Sequence, residues 1–185
     1  MTGGTTPELA PGETVTLELP DAEATRAFGA ALAGLLRAGD LVILTGDLGA
    51  GKTTLTQGLG AALGVRGQVA SPTFIVAREH PPLPRADGTL GPALVHVDAY
   101  RLGSLGELDA LDLDSTLDES VTVVEWGRGL AEALTDDRLE IDLVRPRGAV
   151  ALGAEDPEAG VRRVTIRGVG RRWAGIDLAA LAPIA

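Results

Sequence analysis

Residues 46–58 read GDLGAGKTTLTQG, and the reading of this stretch decides the fold. It holds the chain's only lysine: of 16 Lys and Arg side chains, Lys52 alone is Lys. "LVILT" (41–45) runs almost directly into it as a continuous apolar segment, the mark of a buried central strand. After it, "TTLTQGLGAAL" reads as a helix ending near Gly64, with Gly58 and Gly60 weakening its interior. Strand, glycine loop and helix in that order begin an α/β sheet.

Gly46, Gly51, Lys52 and Thr53 satisfy the P-loop pattern GxxxxGK(S/T). Glycines let backbone N–H groups turn inward and approach phosphate oxygens without a Cβ clash. The helix that follows presents its positive N-terminal end to the same oxygens. A lysine adds a compact ammonium that fits between β- and γ-phosphates, where arginine's wide planar fork would displace the loop. The Thr53 hydroxyl then falls where it can ligate Mg²⁺. The bland alternative is a glycine-rich turn that happens to contain Lys-Thr; the strand before it and the helix after it favour the nucleotide site. The chain contains no asparagine, so an Asn-Lys-x-Asp guanine-reading motif is absent and ATP is the expected nucleotide.

Bulk composition narrows the field. A chain of 185 residues suits a single domain spanning 1–185, with polar residues 1–12 as a flexible tail. Its net charge of -10 would repel a phosphate backbone, and two Trp, one Tyr and two Phe make a poor base-stacking platform. Direct DNA or RNA binding is therefore disfavoured as the main activity. There is no cysteine, which excludes disulfides, thiolate zinc sites and cysteine nucleophiles. "MTGGTTPELAPGETV" lacks the basic start and apolar run of a signal peptide, and the apolar runs are too short to span a bilayer. A cytoplasmic address with no membrane association is the default expectation.

Along the chain, "TVTLEL" alternates as a strand and "PDAEATRAFGAALAGLLRAG" reads as a helix. Asp21 caps that helix, Ala24, Phe28, Ala31, Leu32, Leu35 and Leu36 form its apolar face, and Gly39 closes it. "TFIVAREH", "ALVHVDAY", "VTVVEW" and "RLEIDLV" are strands, "ELDALDL" a short acidic helix or turn, and "GRGLAEAL" a helix. "VRRVTIR" pairs with the preceding strand as a hairpin. The expected fold is α/β: a P-loop NTPase-like mixed central sheet flanked by helices, with an antiparallel C-terminal hairpin.

Phosphoryl transfer needs charge neutralisation, a positioned nucleophile and a held metal ion. Asp98 and Glu125 end apolar strands, where an α/β sheet carries such groups. Either would bind Mg²⁺ directly or through water, or Glu125 would orient the attacking water. Each taken alone is also readable as a solvated carboxylate capping the next turn. His96, two residues before Asp98, shares its face as a core histidine or a partner of the acids. "SPTF" (71–74) is either an ordinary turn or a γ-phosphate-sensing switch. Tyr100 and Trp126, each close after an acid, read as core packing or as covers for a nucleotide or partner.

Taken together, "GDLGAGKTT", "SPTF", "HVDAYRL" and "VVEWG", in this order and spacing, resemble the TsaE (YjeE) family over roughly residues 21–163. The resemblance implies a small bacterial P-loop ATPase that works with TsaB and TsaD to make threonylcarbamoyl-adenosine beside the anticodon of tRNAs reading codons that start with A. It implies that Gly49, Ala50, Gly51, Lys52, Thr53 and Thr54 cradle the phosphates of ATP. Thr53 and Glu125 would hold Mg²⁺, with Glu125 also a candidate for orienting water and Asp98 close by. It further implies a switch-like loop with Ser71 and Thr73, Trp126 near the nucleotide, Ala22 or Thr25 against the base, and Arg162 or Arg163 on ATP. Gly127 stands where many relatives have proline, and "PPLPRADGTLGP" is longer than usual. In such a role tRNA is met only indirectly, through the TsaD–TsaB complex, which fits the acidic charge. Two rivals use the same loop. One is a small-molecule kinase with "RPRGAVALGAEDPEAGVRR" as its lid; the other is a nucleotide switch in which hydrolysis is incidental.

Overall fold

Leu41, Val42, Ile43 and Leu44 are each no more than 1 % exposed, so the run that precedes the glycine loop lies with both faces covered. It forms β2 (Leu41–Thr45), the middle strand of a seven-stranded sheet. The computed structural model describes residues 14–72, 76–146 and 160–182. Its other strands are β1 (Thr14–Leu19), β3 (Ala77–His80), β4 (Ala93–Asp98), β5 (Ser120–Glu125), β6 (Arg138–Val144) and β7 (Arg162–Val169). They lie in the order β1-β7-β6-β2-β5-β4-β3. β6, β2, β5 and β4 run parallel, β7 and β1 add antiparallel on one side, and β3 adds antiparallel on the other. The chain leaves β2 for β5 and β4 on one flank and returns to β6 on the other. Such a reversal opens a crevice beyond the carboxyl end of the middle strand.

Alternation along β2 divides the interior. Val42 and Leu44 join one apolar cluster with Leu55 and Leu59, while Leu41 and Ile43 join a second with Val95, Val97 and Leu108. The first side is covered by α1 (Ala22–Ala33) and α2 (Lys52–Leu63). Two short helices, α3 (Leu105–Asp109) and α4 (Asp114–Leu117), follow β4. β6 alternates buried and half-buried residues as the sequence pattern anticipates, and β7 pairs with it as the expected hairpin.

Asp21 caps α1, its Oδ1 accepting the Ala24 N–H at 2.8 Å. The buried face of α1 differs from the expected one: Ala22, Thr25, Gly29 and Ala33 turn inward with Phe28 and Leu32, while Ala31 is exposed. The cause is close contact with α2. A Cβ on Gly29 would sit 2.1 Å from the Leu55 carbonyl oxygen, and one on Gly58 2.0 Å from that of Arg26. The two helices touch backbone to backbone, so the small residues must face each other, and the glycine that lowers helix propensity in α2 permits the contact. α1 also ends earlier than expected, at Gly34 and not Gly39. "GRGLAEAL" is no helix; it contains one 3₁₀ turn, Ala131–Ala133, because Gly129 takes a left-handed φ of +86° that interrupts a helical path. The tail 1–12, Thr73 and most of the suggested lid lie outside the described residues.

Candidate functional site

The crevice beyond β2 is floored by the 46–51 loop and the first turn of α2. Gly51 is the N-cap residue, at φ +112°, and supplies no side-chain acceptor. A left-handed cap is inexpensive only for glycine. Unlike α1, α2 therefore begins with first-turn N–H groups that no cap side chain satisfies, and these carry the positive end of the helix dipole.

Lys52 follows at once and is 5 % exposed. Its Nζ donates to the carbonyl oxygens of Gly46 at 2.7 Å and Asp47 at 3.0 Å. The ammonium also lies 4.3 Å from the centroid of the Trp126 ring, a cation–π contact. Burial holds its pKa below the ordinary lysine value, against the opposing pull of Glu125, Asp98 and Asp47. Trp126 reaches it from the residue after β5, with a φ of +59° that is unfavourable for a bulky side chain. Its backbone N–H donates to the Leu44 carbonyl at 3.0 Å, and Tyr100 meets its ring edge-on at 5.1 Å.

Glu125, the last residue of β5, is 3 % exposed. Its Oε1 accepts two hydrogen bonds, from Thr53 Oγ1 at 3.0 Å and from His96 Nε2 at 2.8 Å. Asp98 is its register partner across the β4–β5 pair. The Asp98 Oδ1 accepts the Tyr100 N–H at 3.0 Å, fixing the turn after β4.

These groups line one cleft of about 670 Å³. Of the residues singled out from sequence, Ala22, Gly49, Gly51, Lys52, Thr53, Thr54, Ser71, Asp98, Tyr100, Glu125, Trp126 and Arg162 border it. Ala50 and Thr25 are buried; the Thr25 methyl would lie 3.5 Å from a Cβ on Gly51, so Thr25 supports the loop from beneath. Thr73 is outside the described residues. Leu48 and Arg101 border the cleft without having been singled out. Leu48 carries no chemical signal, and Arg101 follows the strand by several residues, so only the turn fixed by Asp98 brings it round.

The arrangement has a definite chemical capacity. A buried ammonium, an uncapped helix N-terminus and the guanidinium of Arg162 can hold an anion. The Thr53 hydroxyl and Glu125 carboxylate can hold a hard divalent cation from one side. Among the described residues no group of three His, Cys, Asp or Glu could hold a metal alone. A cation here would draw its remaining ligands from water and a bound anion, which is the habit of Mg²⁺.

Comparison with known proteins agrees with this architecture. The family model described as "Threonylcarbamoyl adenosine biosynthesis protein TsaE" matches residues 19–149. The tRNA threonylcarbamoyladenosine biosynthesis protein TsaE of Streptomyces coelicolor is 57 % identical over 158 residues, covering 85 % of this chain and 99 % of that protein. The protein of that name from Bacillus subtilis is 37 % identical, covering 82 % and 84 %. The crystal structure of Bacillus subtilis YdiB superposes with a TM-score of 0.61 at 30 % identity, covering 88 % of this chain and 90 % of that one. Among the described residues no helix is long and apolar enough to cross a membrane. Strand order, glycine loop and overall similarity lead to one conclusion: this chain belongs to the TsaE family.

Proposed function

We propose that this chain is the Mg²⁺-dependent ATP-binding and ATP-hydrolysing component of tRNA threonylcarbamoyladenosine biosynthesis, acting with TsaB and TsaD. The observation that carries the reading is the convergence of Lys52, Thr53 and Glu125 on one cleft at the start of α2.

The Lys52 ammonium exchanges its bonds to the Gly46 and Asp47 carbonyls for the terminal phosphate oxygens of ATP, countering charge that grows as the γ-phosphoryl leaves. The first-turn amides of α2 and the Arg162 guanidinium bind the remaining phosphate charge. The Thr53 hydroxyl donates to Glu125 Oε1, and its remaining lone pair together with the Glu125 carboxylate would hold Mg²⁺. Bound Mg²⁺ supplies Lewis-acid neutralisation of the phosphate oxygens. Glu125 would orient the attacking water. Trp126 moves from Lys52 as the phosphates enter, and its ring with Tyr100 closes that side of the cleft. Ala22, at the first turn of α1, borders the cleft where a base would lie.

The net charge of -10 supports a division of labour in which partners hold the tRNA and this chain handles the nucleotide. The test is a reconstitution with purified TsaB, TsaD, tRNA and ATP, following γ-phosphate release. Phosphate appearing in water, with turnover raised by the partners and tRNA modification lost in Glu125→Gln, is the expected result. Transfer of the γ-phosphate to an added metabolite, or modification that survives without hydrolysis, would overturn it.

A further inference from the structure

His96 is fully buried in the middle of β4, and its Nε2 lies 2.8 Å from Glu125 Oε1. A carboxylate only accepts, so Nε2 must carry the hydrogen. The other ring nitrogen, Nδ1, is buried and has no hydrogen-bond partner among the described residues. The geometry therefore makes Nε2 the donor that the ring offers to Glu125. Oε1 already accepts from Thr53, so His96 gives the same oxygen a second donor. Among the described residues Oε2 accepts no hydrogen bond, and Glu125 borders the cleft.

We infer that His96 is a positioning residue that clamps Oε1 of Glu125, so that Oε2 is the oxygen delivered to the metal or its water. Oε1 is engaged from both sides, by the strand through His96 and by the helix through Thr53. Neither donor alone fixes the carboxylate plane; two donors from different elements do. A ring buried merely to fill space would need no donor aimed at the acid. This rests on the nucleotide reading above, and its test separates the two.

The chain has two histidines, so the imidazole ¹⁵N spectrum of the nucleotide-free protein contains few signals, and His80→Gln assigns them. The expected spectrum has a protonated Nε2 for His96; an unprotonated Nε2 overturns the inference. Calorimetry with ADP, with and without Mg²⁺, is then run on the wild type, His96→Leu and His96→Gln. His96→Leu is expected to keep metal-free ADP affinity while its Mg²⁺-dependent gain falls about 10- to 100-fold, the range for losing a support behind a metal ligand. His96→Gln, whose amide can still donate, is expected to recover most of that gain. Equal behaviour of the Leu and Gln variants, or an unchanged Mg²⁺ gain in both, would overturn the clamp. If His96→Leu fails to fold, His96→Gln against His96→Met gives the same comparison. A wild type with no Mg²⁺-dependent ADP affinity would instead overturn the nucleotide reading itself.

Discussion

Two buried charge clusters sit at opposite ends of β2, and they are finished differently. At its amino end Asp40 meets Arg172 from the C-terminal segment. Arg172 donates through Nε to Asp40 Oδ1 and through Nη2 to Oδ2, both at 2.9 Å, and Nη2 also donates to the Leu35 carbonyl at 2.7 Å. Asp40 Oδ2 accepts the Arg37 N–H as well, and the guanidinium stacks 4.2 Å from the Trp173 ring. Each charge there has a fixed partner. Among the described residues at the carboxyl end, Lys52 meets carbonyls and an aromatic face, α2 has no cap side chain, and Glu125 holds one oxygen unengaged. The first cluster is closed and ties the C-terminal segment to the turn between α1 and β2. The second is left open among the described residues, and the phosphate–metal ligand of the proposed function would complete it.

That contrast predicts which property each end controls. Breaking the closed pair with Arg172→Ala strands a buried carboxylate and should cost about 3–5 kcal/mol of stability. Denaturant unfolding measures this, while hydrolysis per folded molecule should stay near wild type. Glu125→Gln should do the reverse. Turnover falls about 100-fold or more, the weight of a positioned acid–base group, with the unfolding midpoint little changed. Gly58→Ala sharpens the comparison from the scaffold side. Its Cβ would meet the Arg26 carbonyl at 2.0 Å, so overpacking should cost about 1–3 kcal/mol and shift α2 along with its first turn. Stability and ADP affinity should then fall together.

The smallest expected effect concerns pH. Burial lowers the pKa of Lys52 from 10.5. Between the folded value and 10.5 the unfolded chain binds the extra proton, so wild-type stability gains with rising pH in that window. Lys52→Met lacks the gain. The difference in unfolding free energy should therefore move in favour of the wild type as pH climbs, and a flat difference would mean the ammonium is not strained by burial.

Much of this was legible in residue order. The apolar run 41–44, the glycine loop and Lys52 fixed the central strand and the start of α2, because local sterics and burial decide both. The hairpin of β6 and β7 followed from alternation. What escaped was cross-strand and cross-helix. Sequence put His96 on the face of Asp98, but only the pairing of β4 with β5 brings its ring to Glu125. The place of Trp126 over Lys52 depends on a left-handed residue that no pattern announces. Propensity marked Gly58 as a weakness in α2, whereas its reason lies on the neighbouring helix. The 127–134 segment misled because its apolar spacing suits a helix and its glycines do not.

Under the proposed function, the open cluster binds the terminal phosphates of ATP through Lys52. Calorimetric titration with ATP, with and without Mg²⁺, on the wild type and Lys52→Ala tests it most directly. The expected result is Mg²⁺-dependent affinity in the wild type that drops at least tenfold in the variant while its cooperative unfolding is retained. A wild type that takes up no ATP, or a variant that binds it equally well, would contradict the account.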